Sequence, residues 1–362
     1  MAPQHDDRHA AVIREVGVRL SAAGVPSAEV DARWLVDHVV EVAGDPVGCG
    51  AALLDGLVAR RVRREPLQQV IGRTWFRLLE LRCAPGVFVP RPETEIVAGL
   101  AIAAARDARA RRPAPAEQAS IRVVEACTGT GAIALSIAVE VPDVDLVAGD
   151  IDAGAVELAT ANLARVREGV AGAAMAPGTS VSVVTSELLS GVDPSWRGHL
   201  DVLVANPPYL PAGDRATWEP EVADHDPDRA LVGGPDGHEV VDALLELATV
   251  WLAPGGTVIL EIDERRGADA LGAANAAGLT GSRIERDLTG ADRAIVARRP
   301  RAPRPPAEPT ACWAGRPVSS RRPAHRRGRP RRPTRRRSAG RRPGGRCRPA
   351  GRGRGRPGRR RP

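Results

Sequence analysis

Two consecutive prolines behind an apolar run constrain this chain more than any other feature. In Asp201-Val202-Leu203-Val204-Ala205-Asn206-Pro207-Pro208-Tyr209 the apolar residues read as a buried strand. Neither proline has an N–H to give to a sheet ladder, so the strand ends there. Each proline also pushes the residue before it toward extended geometry, which fixes Asn206 and Pro207. The product is a stiff turn at a strand's C-terminal end, the edge where open α/β sheets bind ligands. It carries one side-chain amide, bare carbonyls and Tyr209, the single tyrosine of the chain. The Asn206 side-chain oxygen and the Pro207 carbonyl can together accept both hydrogens of a planar NH2 group. Held so, with Tyr209 packed on the flat group, the nitrogen presents its out-of-plane face to an electrophile. Taken alone, a plain strand and proline turn explains the motif equally well.

The neighbouring segments decide between these readings. Residues 121–126 read as a strand, followed by Cys127-Thr128-Gly129-Thr130-Gly131 and a helix over 132–140. Glycines there let the backbone approach a ligand, and the helix N-terminus offers free N–H groups. A second strand over 145–148 ends near Asp150, 21 residues past Gly129, where a carboxylate can take both hydroxyls of a ribose. The spacing Gly129-x-Gly131-x-x-Ala134 also satisfies the dinucleotide fingerprint. Against a nicotinamide cofactor stand Glu125, which would repel a pyrophosphate but suits a sulfonium, and the Asn206 turn, which offers acceptors rather than hydride chemistry. A third strand over 181–185 leads to Glu187 and Leu188. Glu187 is placed either to accept from an adenine amino group, with Leu188 on the ring, or as an ordinary exposed acid. Residues 219–237 are rich in glycine and proline and read as a long loop able to act as a lid. A helix over 239–252, a strand over 257–262 and a hairpin of 281–287 with 292–297 close the domain.

Upstream, residues 8–64 read as three helices. Val12, Val16 and Leu20 recur at helical spacing before Gly24, and Ser27 is a candidate cap for a second helix. On that helix Val30, Trp34, Leu35, His38 and Val39 are expected to share the packing face. Residues 66–95 change to short β segments and turns. Within them Pro92 can start a helix, with Glu93 and Glu95 favoured in its first turn. This stretch serves either as a plain hinge or as the mouth of the site, with Arg91, Glu93 and Thr94 facing a substrate.

Net charge separates the chain into two parts. The last 62 residues hold 23 arginines and one acid, Glu308, whereas the first 300 hold 29 basic and 43 acidic residues. The body is acidic and the tail intensely basic. Lysine is absent, and alanine, arginine, glycine and proline abound, which points to a GC-rich coding sequence. The five cysteines (49, 83, 127, 312 and 347) show neither metal-site spacing nor a dense disulfide pattern, so a reducing cytoplasm fits. No apolar run approaches a membrane span and no signal-peptide core is present, which implies a soluble protein.

In this order and spacing, the glycine loop, Asp150, Asn206-Pro207-Pro208-Tyr209 and Val89-Pro90-Arg91-Pro92-Glu93-Thr94-Glu95 resemble the HemK/PrmC family. The Glu-Pro-Glu-Val and Gly-Gly-Pro-Asp-Gly segments of the 219–237 loop add to the likeness. These are protein-(glutamine) methyltransferases acting on the Gly-Gly-Gln loop of peptide-chain release factors. The resemblance spans about residues 10–298. It implies an α/β fold: a class I (Rossmann-like) S-adenosyl-L-methionine-dependent methyltransferase domain with a seven-stranded sheet, preceded by a small helical domain. The divisions it suggests are 1–65 for a helical substrate-docking domain, 66–95 for a β-rich hinge, 96–300 for the methyltransferase domain and 301–362 for a disordered tail.

Carried over by position, Cys127, Thr128, Gly129, Thr130 and Gly131 would hold the methionine part of the donor. Asp150 would hold its ribose, Glu187 or Leu188 would meet the adenine, and Asn206 would border the donor. Asn206, Pro207, Pro208 and Tyr209, with Arg91, Glu93 and Thr94, would bind the substrate; Asn206, Pro207 and Tyr209 would act on the amide. No metal is needed. Cys127 stands where the family often has glycine, Glu125 replaces a commoner aspartate, and residues 261–267 lack a glycine and a glutamine often found there. Asn-Pro-Pro-Tyr is shared with DNA adenine methyltransferases, so an adenine amino group of DNA or RNA is the alternative substrate. The acidic body argues against it. The tail is either a non-specific contact to nucleic acid phosphates or a GC-rich sequence read past its natural end. A monomer is expected.

Overall fold

The computed structural model describes residues 7–112 and 120–301. The basic tail from residue 302 onward, and the roles read for it, lie outside the described residues.

Helices α1 (Asp7–Ala22), α2 (Ala28–Ala43) and α3 (Ala51–Val62) form the first layer, joined by the short α4 (Leu67–Ile71). Leu20, Leu35, Val36, Val39, Leu57 and Val58 bury their side chains among them. Full burial of each leucine is worth roughly 1.5–3 kcal/mol. The face of α2 differs from the expectation. Val30 and Trp34 lie on its outer edge, 57% and 39% exposed, while Asp31, Ala32 and Val36 take the inner positions. Trp34 instead packs on Trp75 of the next segment, ring centroids 5.0 Å apart. Ser27 holds the N-cap position without capping, because its hydroxyl donates to the Asp31 carboxylate. That carboxylate also receives Arg61 at 2.7 Å, an ion pair buried on both sides.

The hinge contains a small hairpin of β1 (Arg73–Phe76) and β2 (Leu79–Arg82), and α5 (Thr94–Ala110) follows the prolines. The main domain then alternates: β3 (Ile121–Ala126), α6 (Ala132–Glu140), β4 (Val144–Asp150), α7 (Ala153–Arg167), β5 (Ser180–Thr185) and β6 (Leu200–Ala205). Two single turns, α8 (Pro220–Ala223) and α9 (Asp228–Leu231), interrupt the long loop. Helix α10 (Glu239–Trp251), β7 (Leu252–Glu261), α11 (Gly267–Ala276), β8 (Thr280–Arg286) and β9 (Asp292–Arg298) complete the chain. Helices α7 and α11 are alanine-rich, so their apolar periodicity in the sequence is faint.

Seven strands lie in the order β5-β4-β3-β6-β7-β9-β8. The pairs from β5 to β7 are parallel, and β9 runs antiparallel between β7 and β8. Central strands β3 and β6 are buried on both faces, which is why they read as apolar runs rather than alternations. Helices α5 and α6 and part of α7 cover one face, and α10 and α11 cover the other. Because the chain leaves β3 toward β4 and β5 and then returns to β6, the order reverses between β3 and β6. Connections diverge there and open a crevice at the strands' C-terminal ends. Among the described residues no helix is long and apolar enough to cross a membrane, and no three His, Cys, Asp or Glu side chains converge as a metal site.

Candidate active site

A cavity of about 460 Å³ occupies that crevice, a size suited to a nucleoside-bearing ligand. Each strand end contributes one part. After β3 comes the glycine loop, with Cys127, Thr128, Gly129 and Thr130 on the wall; β4 brings Asp150; the turn after β5 brings Glu187 and Leu188; β6 brings Asn206 and Pro208. Thr94, Phe88 and Pro90 close one side, and Arg229 and Ala230 of the long loop another.

The loop is shaped by unusual backbone. Cys127, Gly129 and Gly131 all have positive φ (55°, 55° and 84°), which explains the preference for glycine at these places. Cys127 accepts that cost, and burial, with Asp150 and Glu125 adding to it, pushes its thiol up to about 12. It is an inert packing group rather than a nucleophile. Beneath the loop, Glu125 is 1% exposed. One of its oxygens accepts from the Thr128 hydroxyl and from the Ala134 N–H at 3.0 Å, tying loop and helix α6 together. Burial raises Glu125 to about 8, and the nearby Asp150 adds to the rise.

Asp150 is held the same way: Oδ2 accepts from the Gly129 N–H at 2.8 Å and Oδ1 from the Asp152 N–H at 2.9 Å. Each carboxylate oxygen has a second lone pair, so two acceptor positions remain for a diol. Leu188 also adopts positive φ (51°). The Ser186 hydroxyl fixes this turn by donating to the Leu188 carbonyl and accepting from the Gly191 N–H.

At the end of β6 the Asn206 Nδ2 donates to Thr94 Oγ1 at 3.2 Å. Its oxygen is therefore the end left for a ligand, and no donor among the described residues bonds the Pro207 carbonyl. Four residues expected at the site lie behind or beside it rather than on the cavity wall: Pro207, Tyr209, Arg91 and Glu93. Pro207 is buried, and the Tyr209 hydroxyl donates to Glu261 at 3.2 Å instead of facing the cavity. Arg91 is engaged by Asp226 at 2.7 Å and by the Phe88 ring. Glu93 is exposed at the start of α5. Gly131 likewise lies off the wall, at the N-cap of α6.

The long loop is fastened rather than free at its C-terminal end. Leu210 N–H donates to Leu231 at 2.8 Å and Gly233 N–H returns a bond to Leu210 at 3.0 Å. A Cβ on Gly233 would lie 2.5 Å from the Pro208 carbonyl oxygen and 3.0 Å from Tyr209 Cα. Gly233→Ala is therefore expected to destabilise the protein by about 1–3 kcal/mol. Gly213→Ala, where nothing lies within 4 Å, is expected to leave the denaturation midpoint almost unchanged. Near its start the same loop is gripped by α3 and the residues after it. Glu221 receives Arg61 at 2.9 Å and Arg64 at 2.7 Å.

Comparison with known proteins agrees with this geometry. Residues 114–219 match the methyltransferase small domain family. The release factor glutamine methyltransferase of Mycolicibacterium smegmatis is 37% identical over 289 residues, 77% of this chain and 94% of that one. That of Deinococcus radiodurans is 36% identical, covering 80% and 97%. That of Streptomyces coelicolor is 37% identical, covering 71% and 85%. These matches are far longer than the glycine loop and the turns around the cavity. With a seven-stranded sheet, a glycine loop after β3 and an acid at the end of β4, the fold is that of a class I S-adenosyl-L-methionine-dependent methyltransferase, and the chain belongs to the release factor glutamine methyltransferase family.

Proposed function

We propose that this protein transfers a methyl group from S-adenosyl-L-methionine to the side-chain amide nitrogen of the glutamine in the Gly-Gly-Gln loop of peptide-chain release factors. The observation that carries the reading is the Asn206 side chain, its NH2 given to Thr94 and its oxygen left over, on the wall of the cavity that also holds Asp150 and the glycine loop. The cavity fits the donor: its walls offer an acid for a ribose, a buried acid under the loop for a cation, and apolar Leu188 for a ring. When bound, S-adenosyl-L-methionine supplies a methyl already activated by its sulfonium.

What the protein adds is positioning. An amide nitrogen is a poor nucleophile because its lone pair is delocalised into the carbonyl. Asn206 Oδ1 and the Pro207 carbonyl accept its two hydrogens and aim its face along the transfer line. The nitrogen becomes more acidic as it is methylated, so its proton leaves after attack and no strong base is required. Arg91, through Asp226, and Arg61 and Arg64, through Glu221, hold the loop beside this opening. That arrangement supports a docking role for the helical segment 1–65, with the hinge, 66–95, between it and the methyltransferase domain, 96–300. In this reading the protein works as a monomer in the cytoplasm at translation termination.

Donor binding should carry a pH signature from Glu125. Burial pushes its carboxyl up to about 8, and a bound sulfonium favours the ionised form. Binding below that pH therefore releases a proton, so affinity rises as pH approaches about 8 and levels off above it. Titration calorimetry on wild type and Glu125→Gln checks this, since the donor's own ammonium titrates equally in both. The variant should lose the Glu125 part of the slope.

The substrate assignment is tested by offering methyl-labelled donor with a release factor, with the same factor lacking the glutamine, and with duplex DNA or RNA. The reading expects label on the first alone, at an unchanged rate when the chain is truncated after Arg301. Label on nucleic acid that disappears with the tail would replace it by the adenine reading.

A further inference from the structure

An asparagine amide can sit either way round, and catalysis by Asn206 requires its oxygen to face the substrate. Thr94 Oγ1 accepts from Asn206 Nδ2 at 3.2 Å, but a hydroxyl both accepts and donates. By itself it would serve an inverted Asn206 equally well, giving its proton to the side-chain oxygen and turning the NH2 toward the substrate. Something must fix the direction of the Thr94 proton.

Glu261 ends β7, directly after Leu260, the register partner of Ala205, and so lies beside the start of the Asn206 turn. Thr94 is 2% exposed and Glu261 1% exposed. Glu261 Oε1 accepts from the Tyr209 hydroxyl at 3.2 Å. Oε2 is buried with no partner at ordinary hydrogen-bond geometry. Burial raises the Glu261 carboxyl to about 7, and the Thr94 hydroxyl is the strongest influence drawing it back down, followed by the charge of Arg293. Arg293 is itself held by Asp287 at 2.9 Å, so it lends Glu261 a field rather than a bond. Above about pH 7, where it is ionised, this carboxylate only accepts. With the Thr94 proton turned toward it, Thr94 Oγ1 would be left as an acceptor for Asn206 Nδ2, and Asn206 Oδ1 would face outward. The bond to Tyr209, meanwhile, anchors the backbone two residues past Pro207.

We propose that Glu261 is a positioning residue for methyl transfer, which acts through Thr94 and Tyr209 to make Asn206 and Pro207 present acceptors together to the substrate amide. The inference rests on the function proposed above. It concerns a residue that touches neither donor nor substrate, and so predicts a rate effect without a donor-binding effect.

The test compares Glu261→Gln, Thr94→Val, Thr94→Ser and the Glu261→Gln/Thr94→Val pair. For each, the single-turnover rate on a release factor, the donor Kd and the melting temperature are measured. Gln is isosteric but can donate to Thr94 and reverse the relay. Its rate should fall on the order of tenfold to hundredfold, less than loss of a contacting group, with donor Kd within about twofold. Thr94→Val should fall by a similar factor, Thr94→Ser should stay near wild type, and the double variant should be no slower than Thr94→Val alone. Wild-type rates in Glu261→Gln, or losses that multiply in the double variant, overturn the proposal. If Glu261→Gln fails to fold, the Thr94 pair decides: an undiminished Thr94→Val overturns it. A wild-type protein that binds donor yet leaves release factors unmodified overturns the functional reading and this inference with it. An active wild type with an indifferent Glu261→Gln overturns this inference alone.

Discussion

Replacing Asn206 by alanine is expected to slow methyl transfer by about 10²–10³-fold, the cost of one preorganised hydrogen-bonding group aimed at the reacting atoms. The side chain gives its NH2 to Thr94 and keeps its oxygen for the substrate. Alanine leaves the glutamine amide with one acceptor, the Pro207 carbonyl, and frees the nitrogen to rotate off the transfer line. Donor affinity should change little, because the main donor contacts come from β3, β4 and β5. Single-turnover rates and donor calorimetry on the same preparation check both halves. A loss in donor binding equal to the loss in rate would mean that Asn206 is a donor ligand and that the acceptor role is wrong.

The second large effect belongs to Asp150. Its two oxygens each accept a backbone N–H, from Gly129 and Asp152, and in the proposed complex each also accepts a ribose hydroxyl. Hydrogen bonds to a charged group contribute about 1.5–3 kcal/mol each. Asp150→Ala should therefore weaken donor binding by roughly 10²–10⁴-fold and also loosen the glycine loop. Asp150→Asn keeps the size and one acceptor, so its loss should be intermediate. At saturating donor the Asn variant should transfer at close to the wild-type rate. If it binds donor normally but transfers slowly, Asp150 acts on the reaction rather than on the donor, contrary to the account.

Much of this site is legible in the sequence because local chemistry dictates it. Two prolines must stop a strand wherever they fall, and a glycine loop between a strand and a helix marks a backbone approach. The reversal of strand order between β3 and β6 then brings the two features together. Less legible were features set by partners distant in the chain. Arg91 meets Asp226 across 135 residues and Tyr209 meets Glu261 across 52. Nothing in the local pattern of either arginine or tyrosine announces those partners. Tyr209 was expected on the substrate and is spent on a buried carboxylate instead. Glu261 itself reads as part of an ordinary strand over 257–262; its local signal is a single charge in an otherwise uncharged run. On α2, spacing alone put Val30 and Trp34 inside, whereas the hairpin after α4 offers Trp34 a ring to pack on and leaves the inner face to Asp31 and its ion pair with Arg61. Tertiary contact overrode the pattern there.

The most direct test of the central claim is to locate the transferred methyl. A release factor incubated with this protein and S-adenosyl-L-methionine would be proteolysed, and the Gly-Gly-Gln peptide fragmented by mass spectrometry. The account predicts one added methyl on the side-chain nitrogen of that glutamine, and none when Asn206→Ala replaces the wild type over the same time. A methyl on any other residue, or an unmodified glutamine after incubation with folded, donor-binding protein, would contradict it.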